Sequence, residues 1–434
     1  MWRSLSLLVG VCLCVCGPAW AQAPGERPQP PQAVQGWTPS TPQPAQKAQP
    51  AQQATDPWQL YPVAPGVTYG NFTFYPQVTG AGFYDDNVFA THSNRQGSWG
   101  GLVRPELGIT TAGQNYAVEA HSAVENRWYT DFSSENQLNA ASAVAATVMP
   151  DPDTQIIAKG GYVRAHEGRG TGESTFTGFD RPVGYDTYDA SAALNKRFNR
   201  WWTSVGVANT WMHYDTPAFQ GVPVSQTYRD GTVGVVSGRV GYVVAPLTSV
   251  FVEWSGNQRD FQVGAFDSQG YRVVGGVLLE PGPGARLKGE AYAGYMNQNY
   301  TGITFENVST YTYGGALAWL IAPRWTAVAT GSRVALESGL NNGVSVVEST
   351  AGARLDYQLL PNLIVGAGAS YLQDQYLLAA RTDWSWSPLA SIKYLVTPNV
   401  TLGFDYRNVS FDSNGFGVLS YYRNVYLLSL TARL

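Results

Sequence analysis

A rhythm of short, Pro- or Asn-bearing turns limits this chain to very few architectures. Turns stand at Met149-Pro150-Asp151-Pro152-Asp153, Phe198-Asn199-Arg200, Ala245-Pro246-Leu247 and Pro281-Gly282-Pro283-Gly284. Others stand at Ala322-Pro323-Arg324, Leu360-Pro361-Asn362 and Thr397-Pro398-Asn399, with an earlier one at Ala112-Gly113-Gln114-Asn115. Proline suits these places because a turn needs no ladder donor and gains from a fixed φ. From residue 246 onward the turns recur every 35 to 42 residues. That is one strand out, a loop and one strand back, at about 14 to 17 residues per strand. Longer polar, Gly-rich connections lie between the turns, at 89–98, 167–184, 214–227, 263–268, 301–307, 339–343, 378–382 and 412–418, with a shorter one near Ser133-Ser134-Glu135. Short turns at one end and long loops at the other are the asymmetry of an outer-membrane barrel.

Between the turns the side chains alternate with period two. Gly352, Arg354, Asp356 and Gln358 face one way, and Ala353, Leu355, Tyr357 and Leu359 the other. Tyr116, Val118, Ala120, Val124 and Trp128 oppose Glu119, His121, Glu125 and Arg127, while Leu363, Val365, Ala367, Ala369 and Tyr371 share a face. A soluble sandwich would alternate too. Aromatic residues near strand ends, such as Trp201-Trp202, Trp254, Tyr292, Trp325, Tyr394 and Tyr406, favour girdles at two lipid interfaces instead. Lipid leaves no water for an unpaired sheet edge, so closure is required. The expected fold is therefore all-β: a transmembrane up-and-down antiparallel barrel over residues 69–434. Counting gives eighteen strands, or sixteen if Ala-rich 139–148 conceals a different pattern in the first hairpins.

Composition agrees. Charged residues are only 13% and aromatics also 13%, yet mean hydropathy is −0.17. A barrel needs apolar side chains on only half of each strand, so weak hydropathy is compatible with a membrane. The formal net charge of −4 is too small to argue for nucleic acid or an anionic membrane surface as a partner, and no nucleic acid is expected.

Residues 1–21 read as a signal peptide: Arg3, an apolar run from Leu7 to Cys16, and Ala19-Trp20-Ala21 before Gln22. All three cysteines lie within it, so the mature chain would carry no thiol. Residues 22–58, rich in Pro, Gln and Ala, cannot bury enough surface to offset their ordering entropy and read as a disordered periplasmic spacer. At the other end, Tyr426, Leu428, Leu430, Ala432 and Leu434 share one face. This resembles the amphipathic terminal strand read by the barrel insertion machinery, although it ends on Leu rather than an aromatic residue.

The stretch Gly82-Phe83-Tyr84-Asp85-Asp86-Asn87-Val88-Phe89-Ala90-Thr91, followed by Val103-Arg104-Pro105-Glu106-Leu107, resembles the opening of the putative β-barrel porin 2 family. The resemblance implies an outer-membrane barrel, often associated with exopolysaccharide export and hence with periplasmic polysaccharide-export proteins. It transfers no catalytic residues. Asp85, Asp86 and Asn87 could hold Ca²⁺ at the rim, but they lack the Gly and downstream Glu of a calcium loop. Turn capping is the preferred reading.

If polar faces point inward, the pore lining comprises Arg104, Glu106, Glu119, His121, Glu125, Arg127, Arg239, Glu253, Lys288, Glu290, Arg354, Asp356, Lys393, Asp405 and Arg407. Basic and acidic groups balance, giving a mixed rather than strongly selective wall that would orient hydroxylated solutes or simply neutralise itself. Loop 167–184, with Gly168, Gly170, Gly172, Phe176 and Phe179, is a candidate constriction. No phosphate loop or metal-spaced His/Cys cluster stands in the sequence, and no cofactor is implied. The leading function is a porin-like channel for polar solutes or exported polysaccharide. The first alternative is a non-conducting structural or interaction barrel in a secretion assembly. The second is an outer-membrane hydrolase using His166 with Glu167 or His213 with Asp215, which lacks a nucleophile at a suggestive spacing.

Overall fold

The computed structural model describes residues 66–170, 178–282, 284–302, 306–338, 345–377, 379–415, 417–418 and 420–434. The proposed signal peptide, the 22–58 spacer and the centre of loop 167–184, with Gly172 and Phe176, lie outside the described residues, as does loop 339–343.

The strands run in order β1 (Val67–Tyr69), β2 (Phe72–Asp85), β3 (Ser98–Ala112), β4 (Tyr116–Tyr129), β5 (Gln137–Asp151), β6 (Thr154–His166) and β7 (Gly184–Phe198). Then come β8 (Trp201–Tyr214), β9 (Ala218–Phe219), β10 (Val222–Pro223), β11 (Gly231–Ala245), β12 (Thr248–Phe261), β13 (Ser268–Leu279) and β14 (Leu287–Tyr300). The last are β15 (Val308–Ala322), β16 (Trp325–Glu337), β17 (Ser345–Leu360), β18 (Leu363–Tyr376), β19 (Arg381–Thr397), β20 (Val400–Ser413) and β21 (Tyr421–Arg433). Strand β1 is a short strap on β2, and β9 and β10 form a separate two-strand hairpin within one loop. The remaining eighteen each pair antiparallel with their neighbours in sequence, and β2 pairs with β21 from Gln77↔Arg433 to Asp85↔Val425. That last pairing closes the sheet into a barrel. Eighteen strands, not sixteen, form the wall, and Ala-rich 139–148 lies wholly within β5.

Two residues suffice for the turn between β7 and β8 and likewise between β15 and β16, β17 and β18, and β19 and β20. Asn199 takes φ 57° in its turn, a left-handed geometry that Asn tolerates. The opposite ends carry the longer loops, the longest joining β6 to β7.

The two faces differ as the alternation requires. Leu402, Phe404, Leu428 and Leu430 stand 40–56% exposed on the outer face. The inner face is identified by contacts between strands that are not neighbours, which only the concave side of a closed wall permits. Arg197 on β7 meets Glu280 beyond β13 at 2.9 Å, and Arg239 on β11 meets Glu290 on β14 at 2.8 Å. The aromatic girdle expected from sequence needs correction at four positions. Trp201, Trp325 and Tyr394 point outward near the turns, but Trp202 and Tyr292 are buried on the inner face with Phe251, Val274 and Leu278. Glycines explain this: a Cβ on Gly241 would stand 2.2 Å from the Trp202 ring, and one on Gly314 would stand 2.3 Å from the Tyr292 hydroxyl. Each ring lies over a neighbouring strand that leaves room for it. Trp254, also outward, and Tyr406 sit mid-strand rather than at an end.

Candidate functional site

The inner wall carries the charged groups, and it arranges them as local ion pairs. Midway along β3, Arg104 Nε lies 3.2 Å from Glu106, and Glu106 also accepts from Gln77 Nε2 at 3.1 Å and stands 3.4 Å from His121 Nε2. Further along β4, Glu125 and Arg127 pair at 3.3 Å, and the Arg127 guanidinium covers the Phe83 ring. Glu119 lies on the same face, two strands from Lys159 across Ala145. Across the barrel, Arg239 donates to Glu253 at 2.7 Å and to Glu290 at 2.8 Å, and Arg272 donates to Glu253 at 2.7 Å. Lys288 lies two residues from Glu290 on that face. Arg354 forks onto Asp356 at 2.7–3.0 Å and reaches Ser391 at 2.8 Å. Lys393 lies diagonally across the β19–β20 ladder from Asp405, two residues before Arg407.

The wall thus holds alternating charges in which most carboxylates have a guanidinium within hydrogen-bond reach. A buried charge must be paired to be tolerated, and the bidentate arginine fork does this with fixed geometry. The result is a polar, low-net-charge surface with strong local fields.

A second group, near the loop ends, is absent from the sequence-based set. Arg423 grips Asp85 in a buried bidentate pair with Tyr129 3.4 Å away. Arg164 joins Asp186 at 2.8 Å and Asp215 at 3.1 Å, Arg169 meets Glu135, and Arg381 meets Asp383. Beside Arg164, the Asp215 carboxyl is held below the usual carboxylate range by that hydrogen bond. Alternation alone would have put Arg423 on the inner face, opposite Leu428 and Leu430. Its partner could not be read, because it lies 338 residues away in sequence.

Asp85, Asp86 and Asn87 act as turn and seam residues. Asp85 Oδ1 accepts the Asn87 N–H at 3.1 Å, and the Asp86 carboxylate accepts the Asn424 N–H and side chain, each at 2.7 Å. The Asn87 amide donates to the Thr91 and Tyr422 carbonyls at 2.8 and 2.9 Å. No group of three or more metal-ligating side chains occurs among the described residues.

The two histidine–acid pairs considered for hydrolysis do not form. His166 Nδ1 lies 2.9 Å from Asn139, and Glu167 is bound by Arg229. His213 Nδ1 lies 2.8 Å from Asp230, and Asp215 is taken by Arg164. Each acid considered with its His is drawn away by an arginine on another strand or loop.

The described flanks of the β6–β7 loop, 167–170 and 178–183, make contacts to other elements at the loop end. Arg169 binds Glu135 and donates to the Phe179 carbonyl at 2.7 Å, and Tyr421 donates its hydroxyl proton to the Gly170 carbonyl at 3.0 Å. Tyr421 lies on β21, with four wall strands between it and β6.

A model of the putative beta-barrel porin 2 family matches residues 62–434. A comparison with curated proteins finds no match. Among solved structures, the chain is similar to Pseudomonas aeruginosa OpdL, at 12% identity and TM-score 0.42, covering 84% of this chain and 99% of that one. It is similar to P. aeruginosa OpdQ at 10% identity and TM-score 0.46, covering 84% and 100%. A third is P. aeruginosa OccK2 (OpdF) in complex with glucuronate, at 10% identity and TM-score 0.43, covering 83% and 98%.

Proposed function

The chain belongs to the putative beta-barrel porin 2 family, and on that premise we propose that it is an outer-membrane channel for polar solutes. One observation carries the reading: a closed eighteen-strand wall with an apolar outer face and an ion-paired inner face. The outer face suits lipid, and the inner face suits water and solutes that exchange hydrogen bonds with charged groups. Eighteen strands spaced about 4.8 Å and tilted about 40° enclose a backbone diameter of roughly 35 Å, enough for an aqueous path even after side chains and loops narrow it.

In this reading the inner residues from Arg104 to Arg407 line the path. Their balanced signs favour neutral hydroxylated solutes over ions of one charge. An exported polysaccharide is the extended form of such a solute, delivered by periplasmic export proteins. The role is transport rather than catalysis. Residues 1–21 direct secretion, residues 22–58 form a periplasmic spacer, and the insertion machinery seats the barrel in outer-membrane lipid.

The test is purified, refolded protein in planar bilayers and on unheated gels. Discrete conductance steps and heat-modifiable migration are expected. A folded barrel that gives no conductance would leave the structural or interaction role in place of the channel.

A further inference from the structure

The wall is not uniformly zipped. Strands β15 and β16 pair from Ala322↔Trp325 up to Gly314↔Ser332 and no further. Above that level β15 continues to Val308 and stays paired with β14, while β16 continues to Glu337 and stays paired with β17. The edges Val308–Tyr313 and Arg333–Glu337 therefore separate.

The β16 edge lies inward of the wall. Arg259 on β12 donates to Glu337 at 2.6 Å and to the Ala335 carbonyl at 3.1 Å, although β13, β14 and β15 lie between β12 and β16. Tyr300 donates to the Leu336 carbonyl at 3.3 Å, and Thr312 to the Arg333 carbonyl at 2.7 Å. Ala335 and Val347 pack on Met296 and Val308 of the inner wall, while Leu336 and Val346 pack on Tyr376. Five consecutive residues, Ser345 to Ser349, are buried, where lower in the same strand burial alternates. A wall strand has one face to solvent or lipid, so burial of both faces places this half of the hairpin inside the mouth.

The loop-end half of the β16–β17 hairpin, Arg333–Glu337 with Ser345–Ser349, has, we propose, two seats. In the inner seat it narrows the channel. In the wall seat it zips onto β15 and widens the mouth. The register for the second seat already exists. Extending the ladder from Gly314↔Ser332 sets Tyr313 opposite Arg333, Thr312 opposite Val334, Tyr311 opposite Ala335, Thr310 opposite Leu336 and Ser309 opposite Glu337. The Arg333 guanidinium already lies 4.5 Å over the exposed Tyr311 ring, and in the wall seat Glu337 would join it on the outward side, at the level where aromatic residues and long charged side chains meet the lipid interface. Inside, two backbone acceptors on the β16 edge that faces away from β17, the Arg333 and Ala335 carbonyls, are taken by Thr312 and Arg259, so the inner seat has hydrogen bonds of its own. Two seats, each with its own hydrogen bonds, make a bistable element rather than a flexible one.

The inference rests on the channel reading for its consequence but not for its geometry, and the experiment separates the two. All three cysteines lie at or before residue 16, so paired cysteines can be placed cleanly in the barrel. Thr310→Cys with Leu336→Cys in the full chain reports the wall seat, because opposed residues in a ladder come within disulfide reach. Oxidation in lipid is followed by gel shift and by mass of the linked peptide, and conductance is read before and after. Formation of the crosslink, with conductance roughly doubled or more, is the expected result. Free thiols that never link in a folded barrel overturn the two-seat geometry. A crosslink with unchanged conductance, in a protein that conducts, overturns the gating role. A crosslink in a protein that never conducts supports the movement and rejects the channel. Glu337→Gln, which weakens the inner seat without touching Leu336, should raise the mean conductance; an unchanged value also counts against the proposal.

Discussion

Asp85 and Arg423 join the first and last strands of the barrel wall by a buried bidentate ion pair. The pair sits at the upper limit of the β2–β21 ladder, where Asp85↔Val425 is the last register partner. Arg423→Ala would leave a carboxylate that is 1% exposed without its cation. Removing one partner of such a pair costs about 3–5 kcal/mol, whereas neutralising both costs much less. Arg423→Ala should therefore lower the temperature at which the compact gel form is lost. Asp85→Asn with Arg423→Gln should recover part of that loss. Equal losses for the single and the double variant would show that the seam is held by its backbone ladder alone.

Arg239 stands between two carboxylates, Glu253 and Glu290, on the inner wall. Arg239→Gln removes one positive charge and leaves Glu290 without that guanidinium. The field in the lumen becomes more negative near the turn end, so the channel should favour cations more than the parent does. The measurement is the reversal potential in a potassium chloride gradient, which should move toward the cation-selective limit. A reversal potential that stays in place would place this cluster outside the conduction path.

Strand number, turn positions and the inner or outer sense of most residues were legible in the sequence, because each follows from a local period. The turn at Thr397-Pro398-Asn399 and the alternation of Leu402 and Phe404 with Asp405 and Arg407 are complete within one hairpin. Three things were not local. Trp202 faces inward because Gly241, on a strand 39 residues later, leaves room for its ring. The partners of Asp215 and Glu167 are arginines from other elements, which no spacing in the sequence announces. The split between β15 and β16 leaves both strands with ordinary β patterns, since a strand reads alike whether its edge meets a neighbour or the inside of the barrel.

Asp215, in the loop after β8, has a carboxyl held below its ordinary value of 3.8 by Arg164. A group whose pKa is depressed on folding adds stability above its unfolded pKa, and that stability is lost as pH falls through the folded value. The contact should thus persist at neutral pH and through mild acid, and open only below the usual carboxylate range. Limited proteolysis of loop 215–230 across pH would show it, with an acid-stable protease. In Arg164→Ala, Asp215 should titrate normally, so cleavage should begin at higher pH than in the parent. Identical pH profiles would mean that other contacts secure the loop.

Among the described contacts of loop 167–183 are Arg169 on Glu135 and the Gly170 carbonyl on Tyr421, beside the Glu167–Arg229 pair. Arg169→Ala leaves Glu135, 2% exposed, without its guanidinium, so the loop loses a charge-assisted anchor. Tyr421→Phe removes only the hydroxyl donor and keeps the ring stacked on Phe411. If the loop narrows the path, Arg169→Ala should raise single-channel conductance and Tyr421→Phe should raise it less, with the barrel's thermal stability little changed in the second. The order matters, because a charge-assisted fork is worth roughly twice a neutral hydrogen bond. Equal conductance in the parent and both variants would move the narrowest point away from this loop and leave the β16–β17 hairpin as the element that sets it.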